Sequence, residues 1–372
     1  MNEQIDPTRF GKGFNIIGII GKNGKSTLAQ MIHHCYLALE IANELESATE
    51  FFKKMHTESY EKSIKDVIIE VSVCEIKAKK ASYIDFGTLI FTNSSKNADM
   101  DELWTMRRPF IALPIVKTAI VNIDDEHGEN VCDVTVAKIM TYGLGEAADL
   151  QARNIRPFMD KTTFDLYYEG NFTCNVEIPY FGIYNVYNSL ATIAYFISEG
   201  YKPERIVQLL PNLPKIEGKF DLILTDTDIS VIIDYARNPE AIESVLTALG
   251  TICEGDVITV VGADGNERVA ERASIGKVVL AHSKQVIITN DNPRMEEPQN
   301  IIYDLIKGSV RQNYRICMDR EKAIEIALKM AKPKDVVVIL GRGHEKTQII
   351  GEKVTVFCDK TVAKYLIQKF EI

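Results

Sequence analysis

The segment Gly18-Ile19-Ile20-Gly21-Lys22-Asn23-Gly24-Lys25-Ser26-Thr27 follows an apolar run from Phe14 to Ile20 and precedes a stretch of helical character. Strand, glycine-rich turn and helix in that order open a parallel α/β sheet, and the turn has the chemistry of a phosphate-binding loop. Glycines at 21 and 24, with Asn23 between them, let backbone N–H groups close around phosphate oxygens. The helix, expected to start at Ser26, points its positive end at the same place. Lys25 has the reach to hold β- and γ-phosphates, the Ser26 hydroxyl suits Mg²⁺, and Thr27 completes the nucleotide-contacting set. The match to G-x-x-x-x-G-K-[ST] is imperfect: Ile19 stands at the first glycine position, and the additional glycines fall at 18 and 21. The expected ligand is a nucleoside triphosphate with Mg²⁺.

With 372 residues the chain is long for one α/β domain and comfortable for two. A net charge of −9 argues against a general nucleic-acid binder, so any anion site has to be local. No apolar run is long enough to span a bilayer, and the polar start MNEQIDPTRF does not read as a secretory signal. The seven cysteines are dispersed without a C-x-x-C pair, as suits reduced thiols in a cytoplasmic protein.

Candidate strands in the first part are 15–20, 66–71, 88–92 and 117–122. In open α/β sheets ligands gather at the carboxyl ends of such strands, which directs attention to Glu70, Asn93, Asp124 and Asp125. Residues 135–180 read as short alternating pieces, among them 163–168 and 172–178, expected to be antiparallel. A helix is expected over 185–198, stopped by Gly200 and Pro203. The proline-rich stretch Pro211 to Gly218 marks a boundary between a domain spanning 1–214 and a second spanning 217–372. Beyond it, strands expected at 231–234, 257–261, 285–289 and 336–340 alternate with helices at 240–249 and 321–331, a second βα-alternating domain.

Two further segments follow strands of that second domain: Asp291-Asn292-Pro293-Arg294 and Gly341-Arg342-Gly343-His344-Glu345. Together with the phosphate loop, Glu70-Val71-Ser72, Phe91-Thr92-Asn93, Asn122-Ile123-Asp124-Asp125, Asn185-Val186-Tyr187-Asn188 and Asp234-Tyr235-Ala236, they fall in the order found in the Mur ligases. From about residue 12 to its end the chain resembles that family, and within it the MurE-type enzymes. The resemblance implies a P-loop-type central ATPase domain with a mostly parallel sheet, followed by a C-terminal Rossmann-like α/β domain. It implies an ADP-forming amide-bond ligase with ATP and Mg²⁺ as cofactors: a carboxylate acceptor takes the γ-phosphoryl group, and an amino acid's amine attacks the acyl phosphate. Lys25 would hold the phosphates, Ser26 and Glu70 would hold Mg²⁺, and Asn185, Asn188 and Arg272 would face the nucleotide. Asp291, Asn292, Arg294 and Glu345 would hold the amino acid. Arg294 would pair with a carboxylate of a diaminopimelate-like substrate in a bidentate geometry that lysine cannot reproduce.

The chain also departs from the family. The phosphate loop begins at residue 18, without room for the family's N-terminal UDP-binding domain, so a partner chain supplying the acceptor surface is one expectation. The position of the family's carbamoylated, metal-bridging lysine falls on Arg107, whose guanidinium is read as a permanent cation in place of a second metal. The alternative is that Arg107 and Arg108 are a solvated basic pair. The histidine expected after Phe91-Thr92-Asn93 is missing, Arg237 follows Asp234-Tyr235-Ala236, Lys219 replaces a hinge arginine, and the Asp-Arg pair expected after Gly265 reads Asn266-Glu267. His344 is read as a structural partner rather than a base. Rival readings are a non-catalytic ATP-binding pseudo-ligase, a ligase acting on a non-murein metabolite or carrier-bound peptide, and a plain ATPase.

Overall fold

The computed structural model describes residues 15–47, 49–51, 54, 64, 66–77, 84–94, 100–112, 116–307, 309 and 311–372. These divide into two compact units: one within Met1–Arg156, Lys161–Pro179 and Ile183–Pro214, the other Pro157–Asp160, Tyr180–Gly182 and Lys215–Ile372.

The first unit is laid out as β1 (Asn15–Ile20), α1 (Lys25–Ala38), β2 (Asn43–Ser47), β3 (Asp66–Val71), α2 (Val73–Lys77), β4 (Thr88–Phe91), α3 (Met100–Ala112), β5 (Thr118–Asn122), α4 (Gly128–Cys132), β6 (Lys138–Gly143), β7 (Leu150–Pro157), β8 (Thr162–Tyr168), β9 (Asn171–Ile178), α5 (Ile183–Ser198) and α6 (Pro203–Val207). Its strands form one sheet in the order β2-β3-β1-β4-β5-β6-β7-β8-β9. From β2 to β6 all neighbours are parallel. Parallel strands covered on both faces need near-continuous apolar runs, and β1 (NIIGII), β3 (DVIIEV) and β4 (TLIF) supply them. One face packs Ile16, Ile20, Val67, Ile69, Phe91 and Val121 under Ile76, Met106 and Phe110 of α2 and α3.

Within 135–180 only part of the antiparallel expectation holds. β8 and β9 pair antiparallel, while β6 joins β5 in parallel, Lys138 to Tyr142 lying beside Thr118 to Asn122. Polar alternation in β6 comes from its half-exposed position, not from a hairpin. Segment 95–99, where the missing metal histidine was sought, and residues 1–14 lie outside the described residues.

The second unit contains β10 (Asp221–Leu224), β11 (Ser230–Asp234), α7 (Pro239–Ile252), β12 (Val257–Val261), α8 (Val269–His282), β13 (Gln285–Ile288), α9 (Pro298–Ile306), β14 (Tyr314–Ile316), α10 (Arg320–Met330), β15 (Val336–Leu340), β16 (Thr347–Ile350), β17 (Lys353–Val356) and α11 (Asp359–Phe370). The sheet order is β10-β11-β15-β12-β13-β14, parallel except for β10. Ala323, Ile324, Ala327 and Leu328 of α10, with Ala363 and Leu366 of α11, cover one face over Val231, Ile233, Val260 and Ile339. This is a Rossmann-like arrangement, with β16 and β17 added as a separate antiparallel pair. Helix starts follow local chemistry: Asn238 accepts from the Ala241 amide ahead of Pro239, and Asp319 accepts from Lys322.

Candidate active site

At the carboxyl edge of the first sheet, the loop between β1 and α1 is held by the end of β4. The Lys22 amide donates to the Asn93 carbonyl at 2.9 Å and the Asn23 amide to Asn93 Oδ1 at 2.8 Å. Asn93 Nδ2 returns a bond to the Asn23 carbonyl at 3.1 Å, and Thr92 Oγ1 donates to the same oxygen at 2.9 Å. Asn122 of β5 anchors Thr92 in turn, its Nδ2 donating to the Thr92 carbonyl at 2.8 Å. Asn93 therefore does more than its strand-end position suggested; two side-chain bonds fix the turn that Asn23 occupies.

Gly24 precedes α1 with a left-handed φ of 87°, and a Cβ there would lie 2.7 Å from Asn188 Oδ1. No side chain caps α1, which leaves first-turn amides open to a ligand. Lys25 Nζ donates to the carbonyls of Gly21 at 2.6 Å and Lys22 at 3.3 Å, so the cation sits against its own loop. Ser26 Oγ donates to Glu70 Oε2 at 2.6 Å, and Thr27 is buried beneath the turn. An exposed hydroxyl beside a carboxylate at an uncapped helix start is a hard-oxygen donor pair, and it fits Mg²⁺, which takes one or two protein ligands and otherwise phosphate and water.

Other expected residues have structural partners. Asn188 Nδ2 donates to Asn185 Oδ1 at 3.3 Å, and both side chains are buried behind Gly24. Asp125 accepts from the Ser94 amide and hydroxyl at 2.8 and 3.0 Å. Asp124 accepts from the Leu144 amide at 2.5 Å and from Tyr187 Oη at 2.9 Å. Arg107 is half-buried on α3, its Nε shielded from solvent and without a hydrogen-bond partner among the described residues.

The second unit gathers its polar residues at the carboxyl ends of β11, β12, β13 and β15. Asn292 is the junction: its Nδ2 donates to Glu345 Oε2 at 2.9 Å, and its Oδ1 accepts from Arg342 Nη1 at 3.0 Å and the Ile349 amide at 2.9 Å. Arg342, fully buried, also donates to the Thr347 carbonyl at 2.6 Å and to Asp291 Oδ1 at 3.3 Å. Burial pushes the Asp291 carboxyl up to about 6, against the opposing pull of Arg320 and Arg342. Arg294 has a left-handed φ of 54°, its amide donating to Ile349 and its carbonyl accepting from Gly351. Its guanidinium is engaged side-on by Asp264: Nε to Oδ1 2.8 Å and Nη2 to Oδ2 2.9 Å. Asp264 was not foreseen; Glu267, on the same loop, was read only as a departure from the family pattern.

Arg272, expected to face a nucleotide, is 1% exposed, and its two terminal nitrogens bond within the unit. It binds Glu296 at 2.7 and 2.5 Å, Asp304 at 3.0 Å and the Gly265 carbonyl at 3.0 Å. These bonds shape the 264–265 loop, while the buried Nε has no hydrogen-bond partner among the described residues. His344 is exposed, its ring 4.9 Å from that of Tyr235.

Comparison with known proteins finds two family domains in the chain. The Mur ligase middle domain matches residues 19–196, and the Mur ligase glutamate ligase domain matches 218–343. A UDP-N-acetylmuramoyl-L-alanyl-D-glutamate–2,6-diaminopimelate ligase of Clostridium acetobutylicum is 33% identical, the match covering 95% of this chain and 78% of that protein. The enzyme of the same name from Alkaliphilus metalliredigens is 32% identical over 98% of this chain and 80% of its own. A solved structure of such a ligase superposes with a TM-score of 0.68 at 23% identity, covering 97% of this chain and 79% of that one. No helix among the described residues is long and apolar enough to cross a membrane. With both domain models matched in order along most of its length, the chain belongs to the Mur ligase family of ATP-dependent amide-bond ligases.

Proposed function

We propose that this chain joins an amino acid carrying a second, distal amino group to the carboxylate of a peptide acceptor, at the expense of ATP. The acceptor class is taken from the named relatives, which act on UDP-N-acetylmuramoyl-L-alanyl-D-glutamate. The observation that carries the reading is the phosphate loop, tethered at Asn93, with Ser26 against Glu70.

The acceptor carboxylate attacks the γ-phosphorus, the bond to the β-phosphate oxygen breaks, and ADP leaves. The amine then attacks the acyl carbon, and phosphate leaves as the amide forms and the amine loses a proton. Lys25 would exchange the loop carbonyls of Gly21 and Lys22 for phosphate oxygens, holding charge that moves during transfer. Ser26 and Glu70 would hold Mg²⁺, which when bound neutralises phosphate charge. Gly21, Asn23, Gly24 and Thr27 shape the cradle, and Asn185 and Asn188 support it from behind. Arg107 is proposed as a further cation for the transferred group, supported by its buried Nε, unpartnered among the described residues. Asp291, Asn292 and Glu345 form the amino-acid pocket with Arg294.

The test is acyl-phosphate trapping by hydroxylamine, with ATP, Mg²⁺ and the muramoyl dipeptide acceptor but no amino acid. Hydroxamate should accumulate with the wild type and fall by about 100-fold in Lys25→Ala, the loss of two or more charge-assisted bonds. ATP hydrolysis that proceeds without acceptor and yields no hydroxamate would leave a plain ATPase.

A further inference from the structure

Resting on the reading of the phosphate loop as an ATP site, we propose that Asp124 is a positioning residue for the nucleotide: its carboxylate, through Tyr187, fixes helix α5 and with it the asparagine that backs Gly24. Asp124 lies just beyond β5, half-buried. Its Oδ2 accepts from Tyr187 Oη at 2.9 Å and from the Leu144 amide at 2.5 Å, and its Oδ1 accepts a longer bond from the Gly145 amide at 3.3 Å. One carboxylate thus joins the end of β5, the loop between β6 and β7, and α5. Charge-assisted bonds from several directions fix its orientation more firmly than a single donor could.

The loop is built around that carboxylate. A Cβ on Gly143 would lie 2.8 Å from Asp124 Oδ1, and one on Gly145 would lie 3.2 Å from the same oxygen. These glycines therefore make room for Asp124, neither of them having the left-handed φ that would require glycine by itself. Gln151 pins the far side, its Nε2 donating to the Glu146 and Ala148 carbonyls at 3.1 and 2.7 Å. Asp124 holds Tyr187 against a fixed platform.

From Asp124, one route through its backbone and another through its carboxylate converge on Asn23-Gly24. In the first, the Asp124 amide donates to Asn122 Oδ1 at 3.1 Å, Asn122 Nδ2 donates to the Thr92 carbonyl, and Thr92 Oγ1 donates to the Asn23 carbonyl. In the second, Tyr187 immediately precedes Asn188, whose Oδ1 stands 2.7 Å from where a Cβ on Gly24 would be. Asn188 is locked to its helix: its Nδ2 donates to Asn185 Oδ1 at 3.3 Å, and its carbonyl accepts from the buried Thr192 hydroxyl at 2.9 Å. A shift of α5 at Tyr187 is therefore felt behind Gly24. Burial, and then the Asp124 charge, push the Tyr187 hydroxyl above the ordinary phenol range, so it remains a donor at neutral pH. The first route survives loss of the carboxylate and the second does not, which makes the carboxylate's share separable.

The experiment is calorimetric titration of the full chain with Mg²⁺ and a non-hydrolysable ATP analogue, for wild type, Tyr187→Phe, Asp124→Ala, Asp124→Asn and the double variant Asp124→Ala/Tyr187→Phe. Tyr187→Phe, which removes a hydroxyl and keeps the ring, should weaken the analogue about fivefold, and Asp124→Ala about tenfold or more. Asp124→Asn, whose side-chain oxygen still accepts from Tyr187 and Leu144, should recover to within about threefold of wild type. The double variant should lose no more than Asp124→Ala alone, because both changes cut the same link. In steady-state ADP release the loss should fall on KM for ATP, with kcat at saturating ATP within about twofold of wild type. A folded Tyr187→Phe that binds the analogue within about twofold of wild type overturns the proposal, and it decides even if Asp124→Ala does not fold. A loss carried by kcat with KM unchanged overturns it as well. If the wild type itself fails to bind the analogue, the ATP reading of the phosphate loop falls first, and the proposal with it.

Discussion

Glu267 shows how a single buried acid can weaken the fold as pH rises. Its carboxyl stands at about 7 in the folded chain against an ordinary 4.5, first through burial and then through Glu271. A value raised by folding means that the folded state holds more protons, so the contribution to stability is present below about 4.5 and lost as pH rises through about 7. Fully shielded, that difference would be worth about 3 kcal/mol; for a partly exposed side chain about 1 kcal/mol is the expected size. Glu267→Gln removes the ionisation while keeping the shape. Urea unfolding should show the variant about 1 kcal/mol more stable than wild type at pH 8 and equal to it at pH 4.5. A difference that does not change with pH would mean that Glu267 is not ionising against its surroundings. None of this was visible in one sequence: Glu267 stood out as a departure from the family pattern, but the buried oxygen depends on a loop path. Lys25, Ser26 and Glu70 were legible because strand, turn and helix fix their places locally. The pairing of Arg272 with Glu296 and Asp304 was not legible, because they lie 24 and 32 residues further on.

Elements in this chain meet most closely where a glycine permits it, and α8 against α9 is the tightest case. A Cβ on Gly276 would lie 1.6 Å from the Leu305 carbonyl oxygen, so alanine cannot be added without moving one helix away from the other. One turn earlier on α8, Arg272 reaches Asp304 on α9 and Glu296 just before it, so separation of the helices strains those ion pairs too. Gly276→Ala should cost about 1–3 kcal/mol of stability, as overpacking does, and lower the urea midpoint of the second unit. An unchanged midpoint would show that the helices slide apart at no cost. The elements most readable beforehand were the interior strands: 257–261 and 336–340 are uninterrupted β-branched and apolar runs bounded by polar residues. Helix α3 was missed because Pro109 lies inside it. Its buried Leu103, Met106 and Phe110 nonetheless keep helical spacing, a signal that could have found it. The β16–β17 pair escaped because both strands are short and largely exposed, which leaves no alternation to read.

At the scale of the whole molecule, the residues proposed for ATP and those proposed for the amino acid belong to different units, each with its own sheet and core. The phosphate loop draws its supports from β3, β4 and β5, and the Asn292 junction draws its supports from 264–265 and 341–349. Neither set of hydrogen bonds uses a residue of the other, so binding at the two places should respond independently to substitution, while turnover requires both. Arg294→Ala should therefore leave the affinity for a non-hydrolysable ATP analogue within about twofold of wild type, since sites without shared partners add within about 0.5 kcal/mol. The same variant should lower kcat/KM for the amino acid by at least about tenfold. Lys25→Ala should do the reverse in binding, losing the nucleotide while amino-acid affinity, measured without nucleotide, stays unchanged. The measurement is a pair of titrations on each variant followed by steady-state ADP release. Loss of nucleotide affinity in Arg294→Ala would mean that the two sites share a contact or a conformational equilibrium, and that the ATP half is not complete on its own unit.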